Sequence, residues 1–147
     1  MTVTDTLIVS SEHFHSRLSR TRRIEALREF LAAWAEQFLV VVYFRRQDRA
    51  AVSRHSTQIK SGCIDPLVFP PNTADGLPYY YDYAAIYRNW QAVFGEAAMR
   101  PGLFQPEDLA EGDVVHDFLE KIELGPGAWR FPKRVNQSLD ARGIALL

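Results

Sequence analysis

A chain of 147 residues has room for one sizeable hydrophobic core, and its 47% hydrophobic and 24% charged content is that of a globular domain, not a disordered one. A formal net charge of −1 argues against a nucleic-acid partner, which normally calls for a large basic excess. The single cysteine, Cys63, excludes an internal disulfide and any multi-cysteine zinc site.

The longest apolar run, Phe38 to Phe44, is seven residues against the roughly 20 that a membrane-spanning helix needs. The opening MTVTDT carries no basic stretch ahead of an apolar one, so a secretory signal is not expected and the cytoplasm is. In chain order, Leu7-Ile8-Val9 ending at Ser10-Ser11 predicts a short buried strand. Ile24, Leu27, Leu31 and Trp34 recur at three- and four-residue steps, which predicts an amphipathic helix over 24–36. Phe38 to Phe44 follows as a second strand, and its unbroken apolar, β-branched character predicts burial on both faces, as in a parallel sheet. Strand, helix and strand in that order make a βαβ unit, with Leu7–Ser10 and Phe38–Phe44 parallel and the helix as a right-handed crossover.

From Arg45 the chain turns polar and reads as a helix to about Ser61, stopped by Gly62. Four prolines between Cys63 and Pro78 make a long loop. The clearest helical stripe is Tyr83, Ile86, Tyr87, Trp90, Val93 and Phe94, ended by Gly95; it reads as core, while Tyr79 and Tyr81 are left open between core and a sugar-stacking role. Ala97 to Phe104 reads as a strand broken at Pro101-Gly102. Asp113 reads as the N-cap of a helix running through Ile122, Gly-Pro-Gly at 125–127 as a turn, and Ser138 as the cap of a last helix.

The segment with most chemistry in it runs from Val41 to Ser53, where a buried strand passes into arginines and opens a helix. In open α/β sheets, ligands bind beyond the carboxyl ends of strands. A guanidinium there offers forked donors, and a helix N-terminus beside it offers the positive end of a dipole, so a phosphate suits the place. Solvated surface arginines are the plain alternative. His13 and His15 alternate along the chain, but without a third ligand they do not make a metal site.

The wording YFRRQDRAAVSRHSTQIKSG resembles the 3′-phosphate-binding element of sulfotransferases that use 3′-phosphoadenosine 5′-phosphosulfate (PAPS), especially bacterial proteins that modify polysaccharides. Looser similarity follows in the same order: Leu7 to His13, Tyr80 to Tyr83 with Trp90 and Phe94-Gly95, Asp117-Phe118-Leu119, and Asn136 to Leu139. The resemblance implies a fold and a set of roles. The fold is α/β, a partial P-loop-like three-layer domain with a mostly parallel sheet, with residues 1–147 as one incomplete domain. Arg45 and Ser53 would grip the 3′-phosphate of PAPS, and Lys133 and Arg134 would close over the nucleotide. Glu12 or His13 would take the proton of a carbohydrate hydroxyl. No metal is called for.

One departure is plain. The family holds the phosphosulfate with a glycine-, lysine- and threonine-containing loop after its first strand, whereas here no glycine precedes Gly62 and no lysine precedes Lys60. The expectation is therefore a chain that starts after that loop and turns over weakly or not at all, since such transfers depend on amides and cations placed around the moving group. Two alternatives stand beside it: a non-catalytic nucleotide-binding or interaction protein derived from the fold, and a glycosyltransferase, against which the lack of any Asp-x-Asp counts. A homo-oligomer is left open.

Overall fold

A computed structural model of the chain describes residues 6–62 and 78–124. In order these form α1 (Phe14–Arg17), α2 (Thr21–Leu31), β1 (Val40–Phe44), α3 (Gln47–Lys60), α4 (Tyr83–Phe94), β2 (Met99–Leu103) and α5 (Val114–Lys121), with short 3₁₀ turns between several of them. The two strands pair in a parallel sheet, so the chain is an α/β protein, as expected. Among the described residues no helix is long and apolar enough to cross a membrane. The described residues gather into two units: one holds 6–42 together with 78–101, the other 43–62 with 102–124.

In the first unit, α2 packs on α4. The stripe on α4 faces inward as its period requires, with Ile86 and Trp90 buried, and Ile24 of α2 is fully buried. Phe94 extends the stripe, with its ring stacked on Trp90 at 5.7 Å. Phe14 meets Trp90 at 6.2 Å and Phe38 meets Phe94 at 5.5 Å, both in ordinary aromatic-pair range. The ends of α4 are set locally: the Asp82 carboxylate accepts the Ala85 N–H at 2.9 Å, and Gly95 takes φ +85°, a left-handed conformation that favours glycine. Tyr81, left open above, is core.

Several expectations are corrected here. Leu7–Ser10 is not a strand; Leu7, Ile8 and Val9 are exposed, so three apolar residues with no ladder to join do not make one. The predicted pairing of Leu7–Ser10 with Phe38–Phe44 across an α2 crossover is accordingly absent, and β1 pairs with β2 instead. The strand itself is Val40–Phe44 and is half-buried along its length rather than covered on both faces. The second helix begins at Thr21 and ends at Leu31, leaving Trp34 exposed beyond it.

Pro101-Gly102 does not break β2 either. The Phe104 N–H donates to the Phe44 carbonyl at 2.8 Å. Alternate amides of an extended strand point to alternate sides, so Pro101, three residues earlier, stands on the side away from β1, where its missing donor removes no ladder bond. In the second unit α3 ends at Ser61 and Gly62 (φ +85°), and α5 is capped by the Asp113 carboxylate, which accepts the Val115 N–H at 2.8 Å. α3 starts two residues later than the expected Arg45, and both helices stop within a residue of their expected ends. The loop over 63–77, the Gly-Pro-Gly turn and the Ser138 cap lie outside the described residues.

Candidate functional site

The end of β1 delivers two adjacent arginines, and their surroundings separate them. Arg46 is exposed and grips Asp48 through two bonds, Nε to Oδ1 at 3.2 Å and a terminal nitrogen to Oδ2 at 2.8 Å. The Asp48 carboxyl is held below the usual carboxylate range chiefly by the Arg49 backbone N–H, with Arg46 adding to it. The first turn of α3 thus carries its own anion, which complements the dipole from within. Asp48 thus already sets one anion at the helix N-terminus where the sequence suggests a phosphate.

Arg45 is different. Its Nε is buried and has no hydrogen-bond partner. Its guanidinium carbon lies 5.7 Å from the centroid of the Phe104 ring, within cation–π range. Phe104 meets the Tyr43 ring edge-on at 6.5 Å. Tyr43 donates its hydroxyl to Asp117 Oδ2 at 2.7 Å; Lys121 Nζ stands 3.1 Å from the same oxygen, and the Ala110 N–H reaches Oδ1 at 3.3 Å. Asp117 is 6% exposed. Burial pushes its carboxyl upward, but the bonds from Tyr43, Lys121 and Ala110 and the ammonium charge outweigh that, and it lies below its ordinary value. Burial pushes the Tyr43 phenol well above its ordinary value, and the hydrogen bond to the Asp117 carboxylate and its charge push the same way.

Gly102 makes room for this arrangement. A Cβ there would stand 2.9 Å and 3.0 Å from Tyr43 ring carbons and 3.0 Å from Lys121 Cε. Sequence reasoning missed the Tyr43–Asp117–Lys121 network as such. The legible signal was the i, i+4 spacing of Asp117 and Lys121 on a predicted helix; nothing local ties either to Tyr43.

Ser53 stands half-buried on α3, in the same unit as Arg45. Its carbonyl accepts the Thr57 hydroxyl at 3.1 Å, an ordinary back-bond along the helix. Ser56, one turn further on the same face, is 3% exposed, and its hydroxyl has no partner. Lys60 is exposed in the last turn of α3, where a cation complements the dipole.

Glu12 and His13 belong to the other unit, at the start of α1, and both are exposed. Glu12 Oε1 and His13 Nε2 are 3.9 Å apart. His15 Nδ1 lies 3.1 Å from the Glu12 carbonyl, and its ring meets Tyr80 at 4.5 Å. The structure therefore puts the two predicted phosphate ligands on consecutive elements of one unit and the two predicted bases side by side in the other. Lys133 and Arg134 lie outside the described residues. Among the described residues no three His, Cys, Asp or Glu side chains gather as metal ligands.

No family model matches this chain, and no solved structure matches it. A curated protein of Archaeoglobus fulgidus, described as an uncharacterized protein, is 30% identical over 134 residues, which is 90% of this chain and 34% of that protein. The chain thus spans about a third of the length of the curated relative it matches.

Proposed function

We propose that this chain carries the 3′-phosphate-binding half of a sulfotransferase-like protein, in which PAPS donates a sulfuryl group to a carbohydrate hydroxyl. The observation that supports the reading is the contrast between the arginines: Arg46 is spent on Asp48, while Arg45 presents a buried guanidinium nitrogen without an acceptor. A buried donor left unmade costs about 1–3 kcal/mol, and an anionic oxygen at that position removes the cost. Ser53 adds a hydroxyl from the following helix.

In the transfer the acceptor oxygen bonds to sulfur as the bond from sulfur to the bridging phosphate oxygen breaks, leaving adenosine 3′,5′-bisphosphate. The acceptor proton goes to the Glu12 carboxylate or the His13 imidazole. A second reading, a nucleotide-binding protein without turnover, is favoured by a specific observation: no glycine precedes Gly62 and no lysine precedes Lys60, so a donor loop of the family type is missing from this sequence.

Binding calorimetry with two nucleotides tests the reading. Arg45→Ala is expected to weaken adenosine 3′,5′-bisphosphate by about 2–4 kcal/mol, the range for a charge-assisted contact, and adenosine 5′-phosphate far less. Equal losses for both nucleotides, or no loss, refute the assignment of Arg45.

A further inference from the structure

We infer that Phe104 is a positioning residue for Arg45: its ring holds the guanidinium in place without using any of its hydrogen-bond donors. The inference rests on Arg45 being an anion ligand. An arginine side chain that must be ordered on binding costs about 0.5–1.5 kcal/mol in lost rotamers, so a site gains when the side chain is fixed beforehand. A carboxylate is the usual way to fix it, and Arg46 with Asp48 is the example next door. That solution occupies the forked donors and cancels the charge. An aromatic face attracts the cation through its quadrupole and leaves the fork unoccupied. At 5.7 Å from Arg45 Cζ, Phe104 is in place to do this.

The ring is itself held from two directions. Its backbone N–H is tied to the Phe44 carbonyl at 2.8 Å, one residue before Arg45, so strand pairing fixes the spacing between ring and guanidinium. The ring also meets Tyr43 in an edge-type contact at 6.5 Å, and Tyr43 is anchored through its hydroxyl to the buried Asp117, which Lys121 and the Ala110 N–H also hold. Tyr43 and Arg45 are two residues apart on one extended stretch, so their side chains leave the same side of the backbone, and Phe104 stands against both. The Tyr43–Asp117–Lys121 network thus braces the ring that orients Arg45. At 40% exposed, Phe104 is not a core residue whose main role is burial.

The experiment measures, by calorimetry, the preference for adenosine 3′,5′-bisphosphate over adenosine 5′-phosphate in the wild-type chain, in Phe104→Leu, Phe104→Trp and Arg45→Ala, and in the Phe104→Leu/Arg45→Ala double variant. Phe104→Leu keeps the apolar bulk and removes the quadrupole, so the preference is expected to fall about 2- to 30-fold, the worth of a cation–π contact. Phe104→Trp should keep or raise it. In the Arg45→Ala background Phe104→Leu should change nothing further, because ring and guanidinium act as one unit. A full preference in Phe104→Leu overturns the inference, as does an equal further loss in the Arg45→Ala background. If Phe104→Leu fails to fold, Phe104→Trp decides alone: a fall to the Arg45→Ala level overturns the positioning role. A wild-type chain with no preference for the 3′-phosphate fails at the earlier step, the phosphate reading, and the role of Phe104 falls with it.

Discussion

Replacing Asp117 by alanine removes one carboxylate and leaves three donors behind in the second unit. The Tyr43 hydroxyl bond is the shortest at 2.7 Å, and a hydrogen bond to a charged group contributes about 1.5–3 kcal/mol. The Ala110 N–H bond at 3.3 Å is longer and is given about 1 kcal/mol. Lys121 is 22% exposed and can turn its ammonium to water, so its pair with Asp117 adds only about 0.5–1 kcal/mol. The expected loss for Asp117→Ala is therefore about 3–5 kcal/mol, in the range for breaking a buried charged pair. Tyr43→Phe, which leaves the carboxylate with two donors, should lose about 1–2 kcal/mol. The double variant should lose less than the sum, because the two single changes delete the same bond. Urea denaturation at pH 7 measures all three, provided the slope is unchanged between variants. A loss under about 0.5 kcal/mol for Asp117→Ala, or strict additivity in the cycle, refutes this account of the network. The pH dependence carries a second check. The Asp117 carboxyl is depressed in the fold, so its contribution is present above the ordinary aspartate value near ~4 and is lost as pH falls through the lower folded value. The Tyr43 phenol is raised, so its contribution is present below ~10 and is lost as pH rises through the higher folded value. Tyr43→Phe should flatten the alkaline side of the stability curve and also shrink the loss on the acid side, because the Tyr43 hydroxyl is one of the donors that depress Asp117.

Gly102→Ala tests the close approach beside the same network. Its Cβ would meet the Tyr43 ring at 2.9 Å, so the ring must move, and a loss of about 1–3 kcal/mol in urea denaturation is expected; an unchanged midpoint shows that the ring can yield freely. For activity, the chain is expected to bind adenosine 3′,5′-bisphosphate yet release almost none of it from PAPS in the presence of sugar acceptors, because this sequence holds no donor loop of the family type ahead of Lys60 and Gly62. Rapid turnover refutes that expectation.

The helices of this chain were legible where a cap and a periodic stripe agreed. The run from Tyr83 to Phe94 and Gly95 define α4 to the residue, and Asp113 and Gly62 mark the limits of α5 and α3. The strands were less legible, because a strand is completed by its neighbour. Leu7-Ile8-Val9 has strand composition and no partner among the described strands, and it stays exposed. Met99–Leu103 contains Pro101 and Gly102, two residues that argue against a strand, yet it pairs, because Pro101 turns away from β1 and Gly102 is needed under Tyr43. At the candidate site, composition singled out the segment from Val41 to Ser53 but could not rank its two arginines. Arg46 is distinguished by Asp48, which is local; Arg45 is distinguished by Phe104, which only the β1–β2 pairing brings there. The bond between Tyr43 and Asp117 spans 74 positions and leaves no local trace.

That division of labour between the arginines bears on how an anion is held here. A phosphate at a helix N-terminus normally draws on first-turn amides and on the dipole. In α3 the Asp48 carboxylate already accepts from the Arg49 N–H, and a second anion at the same amides would meet its charge. Arg46 offsets part of that repulsion, and it is bound to Asp48 while doing so. On the reading proposed above, an anion brought to this segment would be held mainly by side chains: the Arg45 fork, aimed by Phe104, and the Ser53 hydroxyl. A guanidinium depends on direction in a way that a dipole does not, since its donors lie in one plane and match two oxygens only when that plane is set correctly. An arginine site without helix amides thus needs its plane fixed by something that does not compete for the fork. The proposed role of Phe104 would meet that requirement: its ring lies 5.7 Å from the Arg45 guanidinium carbon and against Tyr43, whose hydroxyl is bound to the buried Asp117.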